Sequence, residues 1–342
     1  MKRLGYLDTA RGFAAIAVLI FHVTLELPSN ESQFVNILQS FFINIFDLGK
    51  IGVVLFFIIS GLVIPYSFKT NSLKLGLSSF AVSRFFRLYP VYWVSAIIGF
   101  VLYGTFSYEE LLANLTMIQQ ILGYKNIIGL YWTLQIELIF YFLVSCVFLF
   151  KKLRDLNFLF KVSLIFLFIS LILAVIRCYF ELKLPLALPL ALSLMFFATM
   201  YRCLLIENDD SVKQLFKKYL VLYSITIPVI CWLGYSTSFG NENPVKYVVT
   251  YFVGMLLFLL VGKIKFSNSI TEYLGKISYS VYLFHPLIIK LYQDIFTTSL
   301  NYFVSLSIIL FSTVFISHIT YYLFEKPFVK LGHKIKSRII FT

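Results

Sequence analysis

Charge is what this sequence has least of. Of its 342 residues only 13% are charged, against about 25% in an ordinary soluble domain. Acidic residues are the scarcer sign, 16 Asp and Glu against 29 Lys and Arg. Sixty per cent of the chain is hydrophobic and 19% aromatic, which excludes a single soluble core. Cysteine is also sparse. Cys146, Cys178, Cys203 and Cys231 lie in apolar stretches with no CxxC pair and no histidine at metal-ligand spacing, so packed thiols and no metal are expected. There is no Walker loop, dinucleotide-binding glycine pattern, G-x-S-x-G or HExxH, which removes the commonest nucleotide, serine-hydrolase and zinc-protease readings. No repeat period, low-complexity tract or appended soluble domain is visible.

What is present is enough apolar chain for about ten membrane crossings at about 20 residues each. Apolar runs place ten spans at 8–27, 44–66, 88–105, 130–150, 161–180, 184–206, 219–235, 246–262, 279–297 and 302–324. A barrel is excluded because runs such as Leu156–Ile176 are apolar all round instead of alternating. The first run follows Lys2 and Arg3 as in a signal peptide. It holds Arg11 and His22 and lacks a small-residue cleavage site, so a retained helix is expected. The basic residues fall in short clusters between runs, which argues against nucleic acid and for topology signals. With a cytoplasmic N-terminus, 22 Lys and Arg fall inside and 6 outside, with Arg11 in the first helix. The expectation is an all-α polytopic membrane protein with both termini cytoplasmic. Residues 1–326 would form one transmembrane domain and 327–342 a short basic tail that rests on anionic lipid.

Ionisable side chains inside spans are costly, about 2.5–3.5 kcal/mol on insertion scales, and are functional candidates by default. Arg11 and His22 are eleven positions apart, 20° past three full turns, and so share one face of the first helix about 16 Å apart. That separation suits an elongated ligand, the alternative being an arginine snorkelling to headgroups and a histidine satisfied by a carbonyl. Glu137 lies two turns into the fourth span, and its depth counted from the outer boundary places it in one layer with His22. A carboxylate beside the imidazole would fix its tautomer, as a general base requires. The alternative is a neutral Glu137 bonded to Gln135 or another helix. Arg84 and Arg87 stand on neighbouring turns before the third span, either as a phosphate clamp or as positive-inside determinants. His285 precedes Pro286, so its ring either meets ligand or caps carbonyls that the proline frees. Glu325-Lys326 reads as an interfacial anchor and His333 as solvated. Phe56-Phe57 before Ser60-Gly61 reads as a close helix contact.

Taken together these segments resemble the acyltransferase family 3 membrane proteins, which O-acylate bacterial surface sugars and related acceptors. The resemblance rests on Asp8-Thr9-Ala10-Arg11-Gly12 with His22, on Phe56-Phe57 before Ser60-Gly61, and on Arg84-Phe85-Phe86-Arg87-Leu88-Tyr89-Pro90 with Tyr92-Trp93. Trp132-Thr133-Leu134 with Glu137 and Phe140-Tyr141, and Ile277-Ser278-Tyr279-Ser280-Val281-Tyr282-Leu283 with His285, complete it. Thr9 and Thr133 stand where the family often has Gly and Ser, and Leu138 where a second acidic residue is common. The resemblance implies acetyl-CoA or another acyl-CoA as donor, no metal, and a carbohydrate or glycolipid acceptor. It also implies a multi-pass place in a bacterial cytoplasmic (inner) membrane, among membrane lipids. It makes His22 the general base or transient acyl carrier, Glu137 its orienting partner and Arg11 the group that positions the donor. Arg84, Arg87, Tyr282 and His285 would bind the donor. No esterase-like domain is expected, so final transfer would fall to the membrane domain or to another protein. The competing readings are a transporter or flippase of a lipid-linked sugar using the same intramembrane charges, and an acyltransferase with another acceptor.

Overall fold

The computed structural model describes residues 4–28, 32–68, 72–207, 211–239, 242–296 and 300–341. Lys2, Arg3 and Lys69, which entered the charge count, lie outside them. The described residues contain helices and no strand: α1 (Gly5–Glu26), α2 (Gln33–Asn44), α3 (Leu48–Val63), α4 (Leu73–Tyr103), α5 (Tyr108–Leu115), α6 (Tyr131–Leu149), α7 (Leu156–Phe180), α8 (Ala187–Glu207), α9 (Val212–Gly234), α10 (Pro244–Ile264), α11 (Ser269–Ile295), α12 (Tyr302–Thr320) and α13 (Lys326–Phe341). Nine helices among these residues are long and apolar enough to cross a membrane. The tenth expected span is α11. Its 27 residues extend about 40 Å, but its serines, tyrosines and His285 make it too polar to qualify, and that polarity is turned inward. Gly275, Ser278, Ser280, Tyr282 and His285 are all buried. Lipid-facing helices show the opposite pattern: α7 leaves Ile165, Phe168, Ile172 and Val175 exposed.

α1 and α11 run parallel as the central pair. They approach until their backbones touch. A Cβ on Gly12 would lie 2.8 Å from the Gly275 amide nitrogen, and one on Gly275 would be driven into the Asp8 carbonyl. Such contact is how helices associate where lipid removes the hydrophobic drive, because small residues let dispersion and polar contacts act at short range. The Thr9 and Thr271 hydroxyls, 2.9 Å apart, join the pair on the same level. Thr9 therefore gives its hydroxyl a partner at the helix contact. On the other face of α1, Gly52 of α3 lies so close that its Cβ would be 2.7 Å from the Ala14 carbonyl. Gly61 meets the Met195 backbone of α8, and its carbonyl accepts from Thr199 at 2.9 Å. The Ser60-Gly61 contact anticipated from sequence is this one.

The expected span 44–66 is α3 with the turn Ile64–Ser67 that continues it; it starts at Leu48 because Asp47 caps it through the Lys50 amide (2.8 Å), and the short amphipathic α2 precedes it. Two elements depart from the ten-span outline. The third span begins at Leu73 instead of residue 88, so Arg84 and Arg87 are eleven and fourteen residues inside α4. Tyr131 opens α6 but is fully buried. The segment before it folds back into the bundle, pinned by Asn114, whose Oδ1 accepts from the Ile127 amide (3.0 Å) and whose Nδ2 donates to the Lys125 carbonyl (2.9 Å). Beyond α12 a π-helical turn, Tyr321–Glu325, leads into α13. The expected basic tail is thus a helix, and it packs against α4 with Gly332 on Phe86. Cys231 is buried, as expected of a packed thiol, whereas Cys178 is exposed.

Gly275→Ala should lower the thermal unfolding temperature of the purified protein by an amount equivalent to about 1–3 kcal/mol, the usual cost of overpacking. Gly129→Ala, where a Cβ meets nothing within 4 Å, should leave it unchanged. Scanning fluorimetry of the two variants side by side reads the difference.

Candidate active site

α3 borders three cavities in succession along its length. The proximal cavity, about 430 Å³, lies at the end of the bundle that carries Leu4 and α13. The middle one, about 80 Å³, has space for roughly half a dozen waters. The distal one, about 360 Å³, lies at the opposite end. From Lys50 in the distal cavity to Val63 in the proximal one, α3 advances about 20 Å of a hydrocarbon core about 30 Å thick. Arg11 and Arg87 line both the proximal and the middle cavity. Val53 and Phe57 line both the middle and the distal one.

The middle cavity gathers most of the residues singled out from sequence: Arg11, Arg84, Arg87, Glu137 and Tyr282, with Ser60 and Thr133. Its three guanidiniums are balanced by three carboxylates. Arg11 faces Glu137 and Asp8; Arg87 faces Glu325, Glu137 and Asp8. Glu325 is 3% exposed and accepts from the Ser280 hydroxyl at 3.0 Å. Arg84 donates to the Ser67 hydroxyl and lies over the Phe80 and Tyr141 rings at 5.5 and 5.6 Å. Its Nε is buried without a hydrogen-bond partner among the described residues. That N–H is thus a donor with no acceptor from the protein among the described residues. Arg84 and Arg87 are therefore interior groups, not determinants at the membrane surface.

Glu137 is held by Tyr141, whose hydroxyl donates to Oε1 at 2.5 Å. The structure places it beside Arg11, not beside His22. The depth count started from a boundary at Tyr131, and Tyr131 is itself buried. Moreover α1 packs chiefly on α11 and α3, whereas α6 packs on α8, α3 and α4, so α6 reaches α1 only across the cavity. Gln135, the other expected partner of Glu137, leaves its buried Oε1 without one.

His22 stands nearer the distal end of α1, half-buried, with its ring 5.3 Å from that of His285. The charged groups that face it are Asp47, Glu26 and Lys50. Asp47, fully buried at the start of α3 and paired with Lys50 at 2.5 Å, thus takes the place expected of Glu137. His285 is fully buried behind Tyr282, ring centroids 6.0 Å apart, and is not among the residues that line the middle cavity. Its Nδ1–H donates to the Val281 carbonyl at 3.1 Å and also approaches that of Tyr282, the carbonyl deprived of its amide by Pro286. Of the two roles left open from sequence, capping is the one seen. Capping fixes the proton on Nδ1 and leaves Nε2 buried without a partner. Tyr282 closes the middle cavity on this side, its hydroxyl 2.8 Å from that of Thr133. The rings of Tyr282, His285 and His22 form one connected row.

Sequence reasoning missed the proximal vestibule, formed by Tyr66, Lys276, Glu325, Lys326, Lys330 and His333. In the sequence its lysines read as topology signals, an interfacial anchor at Lys326 with ligand contact as its alternative, and a tail on anionic lipid. The one local hint was Pro327 directly after Glu325-Lys326, since the helix there must yield a backbone bond, and it does so as a π turn, a feature common at functional sites.

The family model described as an acyltransferase domain matches residues 4–322, nearly the whole of this helical bundle. A polytopic membrane acyltransferase is the class that this fold and match define. More particularly, the chain belongs to the acyltransferase 3 family. Among curated proteins and solved structures, none matches.

Two substitutions separate the roles of the carboxylates. Glu137→Gln, next to the arginines, should raise the donor KM about tenfold or more. Asp47→Asn, beside His22, should chiefly lower kcat. Steady-state kinetics with the donor varied distinguishes the two.

Proposed function

We propose that this acyltransferase moves an acyl group, in the first instance acetyl, from acyl-CoA to a hydroxyl of a cell-surface or lipid-linked sugar. The observation that carries the reading is that Arg11 and Arg87 line both the proximal and the middle cavity. A cation-lined vestibule leading to a narrow polar pocket suits a donor with a polyanionic head and a slender arm. Lys276, Lys326 and Lys330 would meet the nucleotide phosphates as point charges. The arm would pass Arg11 and Arg87, with the Arg84 Nε–H for an amide or thioester oxygen. The thioester would then stop in the middle cavity under Tyr282. The lysine and arginine asymmetry supports a cytoplasmic proximal end, on the side where acyl-CoA is made, and the family resemblance supports a bacterial inner membrane as its location.

His22, whose ring lies 5.3 Å from that of His285, serves as general base. It takes the proton of the acceptor hydroxyl as that oxygen bonds to the acyl carbon, the carbon–sulfur bond breaks, and the proton passes to the departing CoA thiolate. Arg11 and Tyr282 offer donors to the oxyanion formed on the way. Asp47 and Glu26 are the carboxylates that face His22. Labelled acetyl-CoA with a glycan or lipid-linked sugar extract should transfer label in wild type. His22→Ala should abolish transfer while the protein stays inserted and folded. Transfer by the variant would remove His22 from the mechanism, and no turnover or binding of any acyl-CoA by wild type would overturn the donor.

The vestibule makes a separate prediction. Lys276→Ala with Lys330→Ala should raise the KM for acetyl-CoA about tenfold and leave that for S-acetylpantetheine, which lacks the nucleotide, unchanged.

A further inference from the structure

The distal cavity is not used by this chemistry. Its walls come from α3, α6, α7, α8 and α10, from the segment joining α7 to α8, and from Tyr235 directly after α9. Two buried hydroxyls line it, Thr250 at 1% and Tyr235 at 4% exposure. Thr250 Oγ1 has no hydrogen-bond partner among the described residues, while the Tyr235 hydroxyl is within hydrogen-bonding reach of Tyr251. An unmet buried hydroxyl costs free energy that a ligand bearing hydroxyls of its own would recover. Aromatic rings flank them: Trp132 forms part of the wall, and Tyr235 and Tyr247 stack on each other at 3.5 Å with Arg177 and Lys50 over their outer faces at 5.5 and 5.3 Å.

The charges at the cavity are already matched. Arg177 pairs with Glu242 at 2.6 Å, Lys50 with Asp47 at 2.5 Å, and Lys183 donates to the Phe239 carbonyl at 3.2 Å. The site therefore offers hydroxyls and the Trp132 ring, with no uncommitted charge among these three cations for an anion. That combination fits a neutral pyranose, which presents hydroxyls at its rim and C–H groups on its faces. A lipid tail would cover the Trp132 ring but leave Thr250 unmet. Only Val53 and Phe57 are shared with the middle cavity, so an occupant here is one side-chain layer from the donor's reacting end.

We infer that the distal cavity is the acceptor subsite and holds the neutral sugar ring whose hydroxyl is acylated. Trp132 lies against the ring, and Thr250 and Tyr235 bond its hydroxyls. The inference rests on the acyl-transfer reading above for the identity of the site, but not for its occupancy.

The test has two arms, both in lipid nanodiscs. With labelled acetyl-CoA and the glycolipid fraction of the source cells, Thr250→Val, Tyr235→Phe and Trp132→Leu should each raise the acceptor KM severalfold to tenfold and leave the donor KM unchanged. Without donor, a panel of neutral methyl pyranosides should raise the unfolding temperature of wild type and not of Thr250→Val, with octanol as the apolar control. If wild type transfers label while the acceptor KM of Thr250→Val and Tyr235→Phe is unaltered, the assignment is overturned. Equal stabilisation of wild type and Thr250→Val by octanol alone would make the cavity a lipid site and also overturn it. Should pyranosides stabilise wild type selectively while no acyl-CoA is turned over, the subsite stands and the acyl-transfer reading falls. Thr250→Val keeps shape and volume, so the test does not depend on Trp132→Leu folding.

Discussion

Charge cannot be left unpaired in hydrocarbon, and the centre of this bundle is arranged around that constraint. Arg11, Arg84 and Arg87 come from two helices, and the carboxylates that answer them come from three places: Asp8 one turn before Arg11, Glu137 from α6, and Glu325 from the π turn after α12. Removing one partner of a buried pair costs about 3–5 kcal/mol, because the survivor is left charged and desolvated. Four helices are thereby tied to one point for reasons of charge, before packing is considered. The contact of α1 with α11 at Gly12 and Gly275 brings Asp8 and Arg11 to that point.

A balanced cluster is also a restrained one. Its arginines are already answered when no ligand is present, so an incoming anion must displace carboxylate interactions instead of meeting naked positive charge. Strong binding of stray anions is disfavoured, and specificity falls to geometry: the narrow middle cavity, the Arg84 Nε–H, and the Tyr282–Thr133 hydroxyl pair that closes it. Beyond that closure, the row of Tyr282, His285 and His22 rings extends toward the distal end without opening a water-filled path through the middle of the bundle.

The helical class, the near-continuous membrane character and nine of the ten spans were legible in hydropathy, because a crossing helix must be apolar on most of its surface. α11 was legible by length and motif although its composition is that of an interior helix. Arg11, Arg84, Arg87 and Tyr282 were found as ionisable or motif residues and do share a cavity. The Glu137–His22 pairing failed for a spatial reason: depth along two helices says nothing about whether those helices touch, and α6 starts below the surface because the Asn114-pinned segment folds inward. Asp47 was hidden by its ordinary task as a helix cap. Glu325 and the vestibule lysines were hidden because positive charge at a membrane edge already has a sufficient explanation, and only three-dimensional packing reveals that α13 turns back over α4.

The central pair has a temporal consequence. Thr9 and Thr271, which meet across it, are 262 residues apart in the chain. At about 5–20 residues per second of synthesis, α1 emerges roughly 13 to 50 seconds before α11 exists. During that interval Arg11 has Asp8 from its own helix and then Glu137 from α6, but α1 lacks Thr271, Gly275 and the His285 ring that meet it in the finished bundle. Assembly of the catalytic centre is therefore a late event in biogenesis, and the first helix to enter the membrane is among the last to become secure in it.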